Sequence, residues 1–362
     1  MSDLNKFKGC LIGGAVGDAL GYAVEFMRAD DIFQKYGKDG ITEYELRHGV
    51  AEISDDTQMT LFTAAGLLGA TAGKGDYVGH IVASYKDWYR TQREPYPISG
   101  ERSSWLVNVP ELFNRRAPGN TCMTAMSRGG LGTLENHVND SKGCGGVMRV
   151  APIGLYFANG NFTSMQQTDI DLIGAKAAAI THGHELGYIP AAALVHIISL
   201  LAKQDKISVL DAVADSVVSM RKIFKESEHI RQFHTLMEKA ADLAVSSYND
   251  IDAIRQLGEG WVAEETLAIA VYCVLKYPDN FEKAIIAAVN HDGDSDSTGA
   301  IAGNILGVAL GLDAIPQKYL DNLELKDVII EIAEDLYSDS NISERDEIWE
   351  SKYITVTYGK KA

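Results

Sequence analysis

The chain has 362 residues with 33 basic and 50 acidic side chains, which gives a formal net charge of −17 at pH 7. This acidity argues against a general nucleic-acid binder, because neutralising phosphates requires a basic face, but it is compatible with cationic ligands such as metal ions. A hydrophobic fraction of 46% is ordinary for a packed protein and excludes disorder as the general state.

Helical periodicity dominates, since apolar residues recur at three- and four-residue spacings along most of the chain. We therefore expect an all-α fold that forms a single domain over residues 1–362, with a core over 7–315 and a C-terminal helix and short β-prone tail over 316–362. Residues 91–146 lack this periodicity and predict a long irregular region over a functional site. The predicted helices span residues 7–26, 57–72, 79–90, 171–181, 190–203, 207–224, 229–247, 264–276, 281–290, 298–311 and 325–336.

Four of the 34 glycines follow one stripe of the first predicted helix, at positions 9, 13, 17 and 21. Glycine destabilises a helix interior by about 1 kcal/mol relative to alanine, so such a stripe indicates close approach by another helix or by a ligand. Asp18 and Glu25 are seven residues apart and share a second face, where they are either solvated or part of a site.

The segment Ser54-Asp55-Asp56-Thr57 stands directly before a helical pattern. Ser54 or Asp55 can cap that helix, because a side-chain oxygen at this position accepts hydrogen bonds from free amides and acids are favoured at a helix N-terminus. Adjacent carboxylates beside hydroxyls also supply hard oxygen ligands for a cation. The sequence leaves both interpretations open.

A glycine-rich segment at 139–152 contains Gly143, Gly145 and Gly146, which would expose backbone amides to an anion such as a phosphate. It is not a P-loop, because no Gly-Lys-Ser/Thr follows. A turn that enters a helix is the alternative.

Two histidines follow in the segment Thr181-His182-Gly183-His184. We do not expect a zinc site, because no third His or Cys stands at a useful spacing. A His that hydrogen-bonds a ligand phosphate, or that caps the helix beginning near Pro190, is the expected role. Residues 258–263 match the loose G-x-G-x-x-A form of a dinucleotide fingerprint, but the match is weak because a helical pattern precedes it rather than a strand.

Three aspartates stand at alternate positions in residues 291–299, before a helix with a second glycine stripe at 299, 303, 307 and 311. The start resembles an EF-hand loop, but Ser297 stands where the turn glycine belongs. Three acids that served only as caps would repel one another, so we predict that a cation binds here. Oxygen ligands from 54–56 and 294–297 would suit Mg²⁺ or Mn²⁺ over zinc, and several carboxylates at one site would hold two ions.

The four cysteines form no C-x-x-C pair, which excludes a zinc knuckle and favours reduced thiols. The N-terminus shows no signal-peptide pattern. The apolar stretches 189–202 and 267–275 are too short to cross a bilayer. We therefore expect a cytoplasmic protein without membrane association.

Seven segments together resemble the ADP-ribosylglycohydrolase family, which includes ADP-ribosylarginine hydrolases and dinitrogenase reductase-activating glycohydrolases. The resemblance runs from Gly9 to about Gly311, and seven matches in this order are far more specific than any one alone. The segments are GGAVGDALGYAVEF, SDDTQMT, RRAPGNTC, SKGCGGVMRVAPIG, THGH, GEGWVAEETLAIA and HDGDSDSTGAIAGNILG.

The resemblance implies an all-α fold that holds a binuclear Mg²⁺ centre, with Mn²⁺ in some members. It implies that Glu25 is the acidic residue near the metals, and we do not expect Cys144 to be a nucleophile. The implied metal ligands are Ser54, Asp55, Asp56, Asp294, Asp296 and Ser297. The implied ADP-ribose-binding residues are Gly143, Cys144, Gly145, Gly146, Met148 and His182.

The implied reaction is hydrolysis of the N-glycosidic bond that joins ADP-ribose to an arginine guanidinium of a protein. Asp56 or Glu25 would assist proton transfer while the ions hold the ribose. Some members place a further catalytic acid in the covering region, for which Glu94, Glu101 and Glu111 are the candidates here.

Two other interpretations remain open. The same fold acts on another ADP-ribosyl linkage, such as serine, a nucleobase or a small guanidine, or the chain is a non-catalytic ADP-ribose-binding or immunity protein. The expected partners are an ADP-ribosylated protein and ADP-ribose, without nucleic acid, and the default oligomeric state is a monomer.

Overall fold

The computed structural model describes residues 3–70, 76–158, 165–339 and 352–353. These residues form sixteen α-helices and no β-sheet, which confirms the predicted all-α fold. The helices are α1 Asp3–Tyr22, α2 Ala29–Tyr36, α3 Asp55–Ala70, α4 Tyr77–Thr91, α5 Asn120–Ser127, α6 Ala151–Tyr156, α7 Gln167–Ala179, α8 Glu185–Lys203, α9 Val209–Ile223, α10 Ile230–Ala244, α11 Asp250–Ile254, α12 Ala263–Lys276, α13 Phe281–Val289, α14 Ser295–Leu310, α15 Gln317–Leu320 and α16 Lys326–Asp339.

Every segment with helical periodicity lies on one of these helices. Periodicity predicts none of α2, α5, α6, α11 and α15, because none of them exceeds eight residues and two turns are too few to repeat an apolar stripe. The β-prone tail at 353–358 lies outside the described residues apart from Tyr353.

The two glycine stripes pack directly against each other, with α1 and α14 running in opposite directions. A Cβ atom at Gly17 would overlap the carbonyl oxygen of Gly299, and one at Gly303 would overlap the carbonyl oxygen of Gly13. The backbones can approach this closely only because neither stripe carries side chains. Helix packing therefore explains both stripes, and it brings the end of α1 beside the start of α14.

Helix α8 lies in the middle of the core. Sixteen of its nineteen residues are buried, and it packs against α6, α7, α9 and α12. Among the described residues it is the one helix long and apolar enough to cross a membrane, and 94% of its most apolar stretch is buried inside the protein. The helix is longer than the apolar stretch 189–202 because it begins at Glu185.

The predicted irregular region contains α5 and short turns, and part of it crosses the start of α3. The backbone N–H of Asp55 donates to the carbonyl of Arg116 at 3.0 Å, and the N–H of Gly119 donates to Oδ2 of Asp55 at 3.2 Å. The region is therefore anchored beside the acidic residues that the sequence singles out.

Candidate functional site

A cavity of about 360 Å³ opens where α3 and α14 begin. Eleven of the thirteen residues that the sequence predicts for the site line this cavity. The other two lie behind its wall: Ser54 is fully buried, and Gly146 packs against Ala178. The lining residues are Glu25, Phe26, Asp55, Asp56, Ala117, Gly119, Asn120, Thr121, Cys122, Gly143, Cys144, Gly145, Met148, His182, Trp261, Asp294, Asp296 and Ser297.

The start of α3 is held by Asp18 of α1. Its carboxylate accepts hydrogen bonds from the backbone N–H of Ser54, at 3.0 and 3.1 Å to its two oxygens, and from the N–H and hydroxyl of Thr57. Ser54 caps the helix, because its hydroxyl accepts from the N–H of Asp56 at 3.1 Å. Asp18 and Glu25 are both buried, so the alternative that these two acids are solvated is wrong.

The first of the three alternating aspartates before α14 has a structural role. Asp292 accepts hydrogen bonds from the backbone N–H of Ala29 and from Nε of Arg255, both at 2.9 Å, and it does not line the cavity. Burial acts to raise its pKa, but these hydrogen bonds outweigh it and leave the pKa of Asp292 below its usual value.

The other two aspartates face the cavity at the N-terminus of α14. Asp294 caps the helix by accepting from the N–H of Ser297 at 3.3 Å, and Asp296 accepts from the same N–H at 2.9 Å. Oxygen atoms of Glu25, Asp294 and Asp296 all lie within 4.8 Å of one another. This spacing allows the three carboxylates to coordinate one metal ion.

The acidic cluster is buried with too few hydrogen-bond donors. One carboxylate oxygen each of Glu25, Asp56 and Asp294 is buried without a hydrogen-bond partner. Burial, followed by the charges of Asp296 and Asp294, raises the pKa of Glu25 to about 11. Burial and the charge of Asp296 raise the pKa of Asp18 to about 7. Buried like charges are unfavourable unless protons or cations neutralise them, so the donor set fits divalent cations with hard oxygen ligands.

The glycine loop forms a further part of the cavity wall. Residues Cys144–Gly146 make a single 3-10 turn, and the N–H of Cys144 donates to the carbonyl of Trp261 at 3.2 Å. Burial and the charge of Asp294 raise the pKa of the Cys144 thiol well above its usual value. The thiol is therefore protonated at neutral pH, which agrees with the expectation that it is not a nucleophile.

His182 lines the cavity beside the glycine loop, and a chain of hydrogen bonds sets its tautomer. Arg149, which is fully buried, donates to the hydroxyl of Thr181 at 2.8 Å, and that hydroxyl lies 2.8 Å from Nδ1 of His182. A guanidinium can only donate, and the hydroxyl proton of Thr181 has two acceptors in reach, Nδ1 of His182 at 2.8 Å and the carbonyl of Ala178 at 3.5 Å, so the shorter contact favours donation to Nδ1. Burial and the charge of Arg149 lower the pKa of His182 to about 3, so the ring is neutral. An Nδ1 that accepts from Thr181 leaves the single ring proton on Nε2.

The second histidine of this segment has a different role. Nδ1 of His184 accepts from the N–H of Leu186 at 3.0 Å and caps α8. The predicted cap is therefore confirmed, although the helix begins at Glu185 and contains Pro190. Residues 258–263 connect α11 to α12 without a preceding strand, so the dinucleotide-fingerprint match has no structural support.

Sequence reasoning missed several lining residues. Phe26, Trp261 and residues 117–122 have no predicted role, although RRAPGNTC and GEGWVAEETLAIA are among the seven recognised segments. None of the covering-region candidates Glu94, Glu101 and Glu111 lines the cavity, and Glu94 instead pairs with Arg90 at 3.0 Å. Glu25 and the aspartates are therefore the acids that this cavity presents.

Two named proteins are similar to this chain over most of its length. The chain is 25% identical over 334 residues to an ADP-ribosylarginine hydrolase Tri1 from Pseudomonas putida, covering 92% of this chain and 78% of that protein. It is 26% identical over 325 residues to an ADP-ribosyl-[dinitrogen reductase] glycohydrolase from Rhodospirillum rubrum, covering 88% of this chain and 90% of that protein.

A solved structure described as an ADP-ribosylglycohydrolase-related protein complex has a similar fold. The TM-score is 0.63 at 21% identity, and the match covers 93% of this chain and 99% of the other. The model of the ADP-ribosylglycohydrolase family matches residues 1–345. A match over almost the whole length, together with these named relatives, shows that the chain belongs to the ADP-ribosylglycohydrolase family, a family of glycosyl hydrolases.

Proposed function

We propose that this enzyme removes ADP-ribose from ADP-ribosylated protein by hydrolysing the N-glycosidic bond to an arginine guanidinium, with two Mg²⁺ ions, or Mn²⁺, as cofactors. Membership of the family supports the reaction class, and the relative named ADP-ribosylarginine hydrolase supports the linkage. The observation that carries the proposal is the set of buried carboxylate oxygens that line the cavity without hydrogen-bond partners.

The cations would be held where the first turns of α3 and α14 meet. Oxygen-only ligands suit Mg²⁺ or Mn²⁺ better than zinc, which favours nitrogen and sulfur. When bound, such ions supply Lewis acidity that orients ribose hydroxyls and lowers the pKa of a water molecule. The proposed ligands are Ser54, Asp55, Asp56, Asp294, Asp296 and Ser297.

Glu25 and Asp56 are the proposed proton-transfer residues. Cleavage breaks the bond from the anomeric carbon to the guanidinium nitrogen, a water oxygen forms the new bond, and the departing nitrogen takes up a proton. Each of these two side chains keeps one buried oxygen free of hydrogen bonds, and burial raises the pKa of both. Either carboxyl is therefore placed to accept a proton from the attacking water or to pass one to the leaving nitrogen, while neighbouring carboxylates stabilise positive charge on the ribose.

The remaining predicted residues would bind the ADP-ribose. The glycine loop offers the backbone N–H of Gly145, whereas the N–H of Gly143 donates to the Ser141 hydroxyl at 3.3 Å. Nε2–H of His182 adds a neutral donor, so the diphosphate would be bound by uncharged hydrogen-bond donors. Gly146 lies behind this wall, where its lack of a side chain lets the loop pack against Ala178 and Gly187.

The test offers one peptide with ADP-ribose on arginine or on serine, with Mg²⁺ or with chelator, and measures free ADP-ribose. We expect release from the arginine-linked peptide that requires the cation. Asp294→Asn should weaken Mg²⁺ binding, whereas Asp292→Asn, from the same segment but outside the cavity, should not. Release of ADP-ribose from the serine-linked peptide alone would show that the enzyme cleaves the serine linkage and not the arginine linkage. Binding of ADP-ribose without release from either peptide would support the non-catalytic interpretation.

A further inference from the structure

Two exposed aromatic rings stand at the mouth of the cavity. Nine large apolar side chains are exposed in the part of the chain that the structure describes, and of these only Phe26 and Trp261 line the cavity. Phe26 is 74% exposed and Trp261 is 39% exposed. Their rings are stacked, with centroids 5.9 Å apart and planes inclined by 19°. Single exposed apolar residues are ordinary, but a stacked aromatic pair on the rim of a site indicates a binding surface.

The backbone places this pair directly beside the acids. Phe26 follows Glu25, whose carboxylate lies within 4.8 Å of Asp294 and Asp296. Trp261 lies on the loop before α12, and its carbonyl accepts from the N–H of Cys144. The pair therefore spans from the acidic cluster to the glycine loop, on the solvent side of both.

We propose that Phe26 and Trp261 bind the acceptor side of the substrate by stacking against the arginine guanidinium that carries ADP-ribose. This inference rests on the proposed function. The N-glycosidic bond must lie at the acidic cluster when it breaks. The arginine side chain on the far side of that bond extends from the cluster toward solvent, and the aromatic pair is the next surface in that direction. A guanidinium is a planar cation that stacks on aromatic faces, and a serine hydroxyl has no such surface.

The charges around the pair suit a cationic acceptor. Arg28 is the nearest basic residue in sequence to Phe26, and its guanidinium contacts Glu259 at 3.1 Å and Asp292 at 3.3 Å. Arg255 also pairs with Asp292 at 2.9 Å, so these two carboxylates balance two guanidiniums and leave this side of the pair without a net positive charge that would repel an incoming arginine.

The test compares Phe26→Ala and Trp261→Ala with wild type on the arginine-linked and serine-linked peptides, and measures the affinity for ADP-ribose itself. We expect kcat/KM on the arginine-linked peptide to fall about tenfold, the range of a partly desolvated cation–π contact. The affinity for ADP-ribose should change less than twofold, and Trp261→Phe should restore most of the loss. Val245→Ala, which removes another exposed apolar side chain outside the cavity, is the control and should change nothing.

The outcomes separate this inference from the proposed function. Wild type that fails to cleave the arginine-linked peptide contradicts the proposed function, whereas active wild type with equally active alanine variants contradicts only the aromatic contact. An equal fall in ADP-ribose affinity would assign the pair to the nucleotide and overturn the inference. If wild type cleaves neither peptide, the same comparison uses affinities, and variants that bind the arginine-linked peptide as tightly as wild type overturn it.

Discussion

The hydroxyl oxygen of Thr181 lies 2.8 Å from Nδ1 of His182, and it receives a hydrogen bond from the buried Arg149 on its other side. Neither Thr181 nor Arg149 lines the cavity, yet their contacts favour the tautomer of His182 that carries its proton on Nε2. Nε2 lies next to the glycine loop, 3.4 Å from the points that a Cβ atom would occupy at Gly143 and at Gly145. Contacts in the core thus place a neutral hydrogen-bond donor, Nε2–H of His182, at the wall of the cavity.

Removing this hydroxyl should weaken ADP-ribose binding. Thr181→Val keeps the shape but frees the His182 tautomer, and a lost hydrogen bond of about 0.5–1.5 kcal/mol corresponds to a decrease in affinity of about threefold to tenfold. Calorimetry measures the affinity, and ¹⁵N chemical shifts of the His182 ring report the tautomer. Thr181→Ser should behave like wild type. Unchanged ring shifts and affinity in Thr181→Val would refute the assignment.

Single-turnover rates should distinguish whether Glu25 or Asp56 transfers the proton. Glu25→Gln and Asp56→Asn replace each carboxyl by an amide of similar shape, and the residue that transfers the proton should lose about 10²–10⁴-fold in rate. Asp56→Asn should also weaken cation binding, because Asp56 is a proposed ligand. Rates are therefore compared at saturating Mg²⁺, and undiminished chemistry in both variants would exclude both residues.

Without cations, the acidic cluster should make the folded state less stable as pH rises. The folded-state pKa of Asp18 is raised from 3.8 to about 7, and that of Glu25 from 4.5 to about 11. Between the unfolded and folded pKa values the folded protein holds protons that the unfolded chain has released, so the stability contribution falls with increasing pH. In chelator the melting temperature should therefore fall from pH 5.5 to pH 8, and Glu25→Gln should reduce this slope.

Added Mg²⁺ should counteract this loss. Cations compete with protons for the same carboxylates, so the rise in melting temperature on adding Mg²⁺ should be larger at pH 8 than at pH 5.5. Calorimetric scans at both pH values measure it. An equal rise at both values would show that Mg²⁺ binding is not coupled to these acids.

The glycine stripes should tolerate no side chain. Gly17→Ala places a methyl group on the carbonyl oxygen of Gly299 and should destabilise the protein by about 1–3 kcal/mol or more, because the backbones must separate. Gly303→Leu adds a larger side chain against Gly13 and should lower the free energy of unfolding further. Denaturant unfolding measures both effects.

Gly69 provides the matched control for these variants. It also lies inside a helix, α3, but the nearest atom to an added Cβ is 3.5 Å away. Gly69 is the penultimate residue of α3, where the helix-interior preference for alanine applies only in part, so Gly69→Ala should leave stability unchanged or raise it by less than about 1 kcal/mol. A stable and fully active Gly17→Ala or Gly303→Leu would contradict the close packing of α1 against α14.

Most of the fold follows from local sequence, because apolar residues repeated at helical spacing over three or more turns specify a helix. They specify its buried face only where the other face is polar, as in α10, whereas every residue of α3 is buried. The short helices α2 and α5 carry too few turns for that signal. Asp55 and Asp294 are recognisable as site residues because adjacent or alternating carboxylates at a helix start are unusual. Phe26 gives no comparable signal, since an exposed phenylalanine and a buried one look alike in a sequence.

The sequence by itself determined the all-α class, the paired glycine stripes and the two groups of acidic oxygens 238 residues apart, from Asp56 to Asp294. Only the tertiary structure decided that the stripes of α1 and α14 touch each other, and thereby that Glu25 meets Asp294. It also decided which acids are structural, because hydrogen bonds from distant backbone amides satisfy Asp18 and Asp292 but leave oxygens of Glu25 and Asp56 without partners. Whether a carboxylate finds hydrogen-bond donors depends on which groups lie next to it in the folded protein, and the spacing of residues along the chain does not show this.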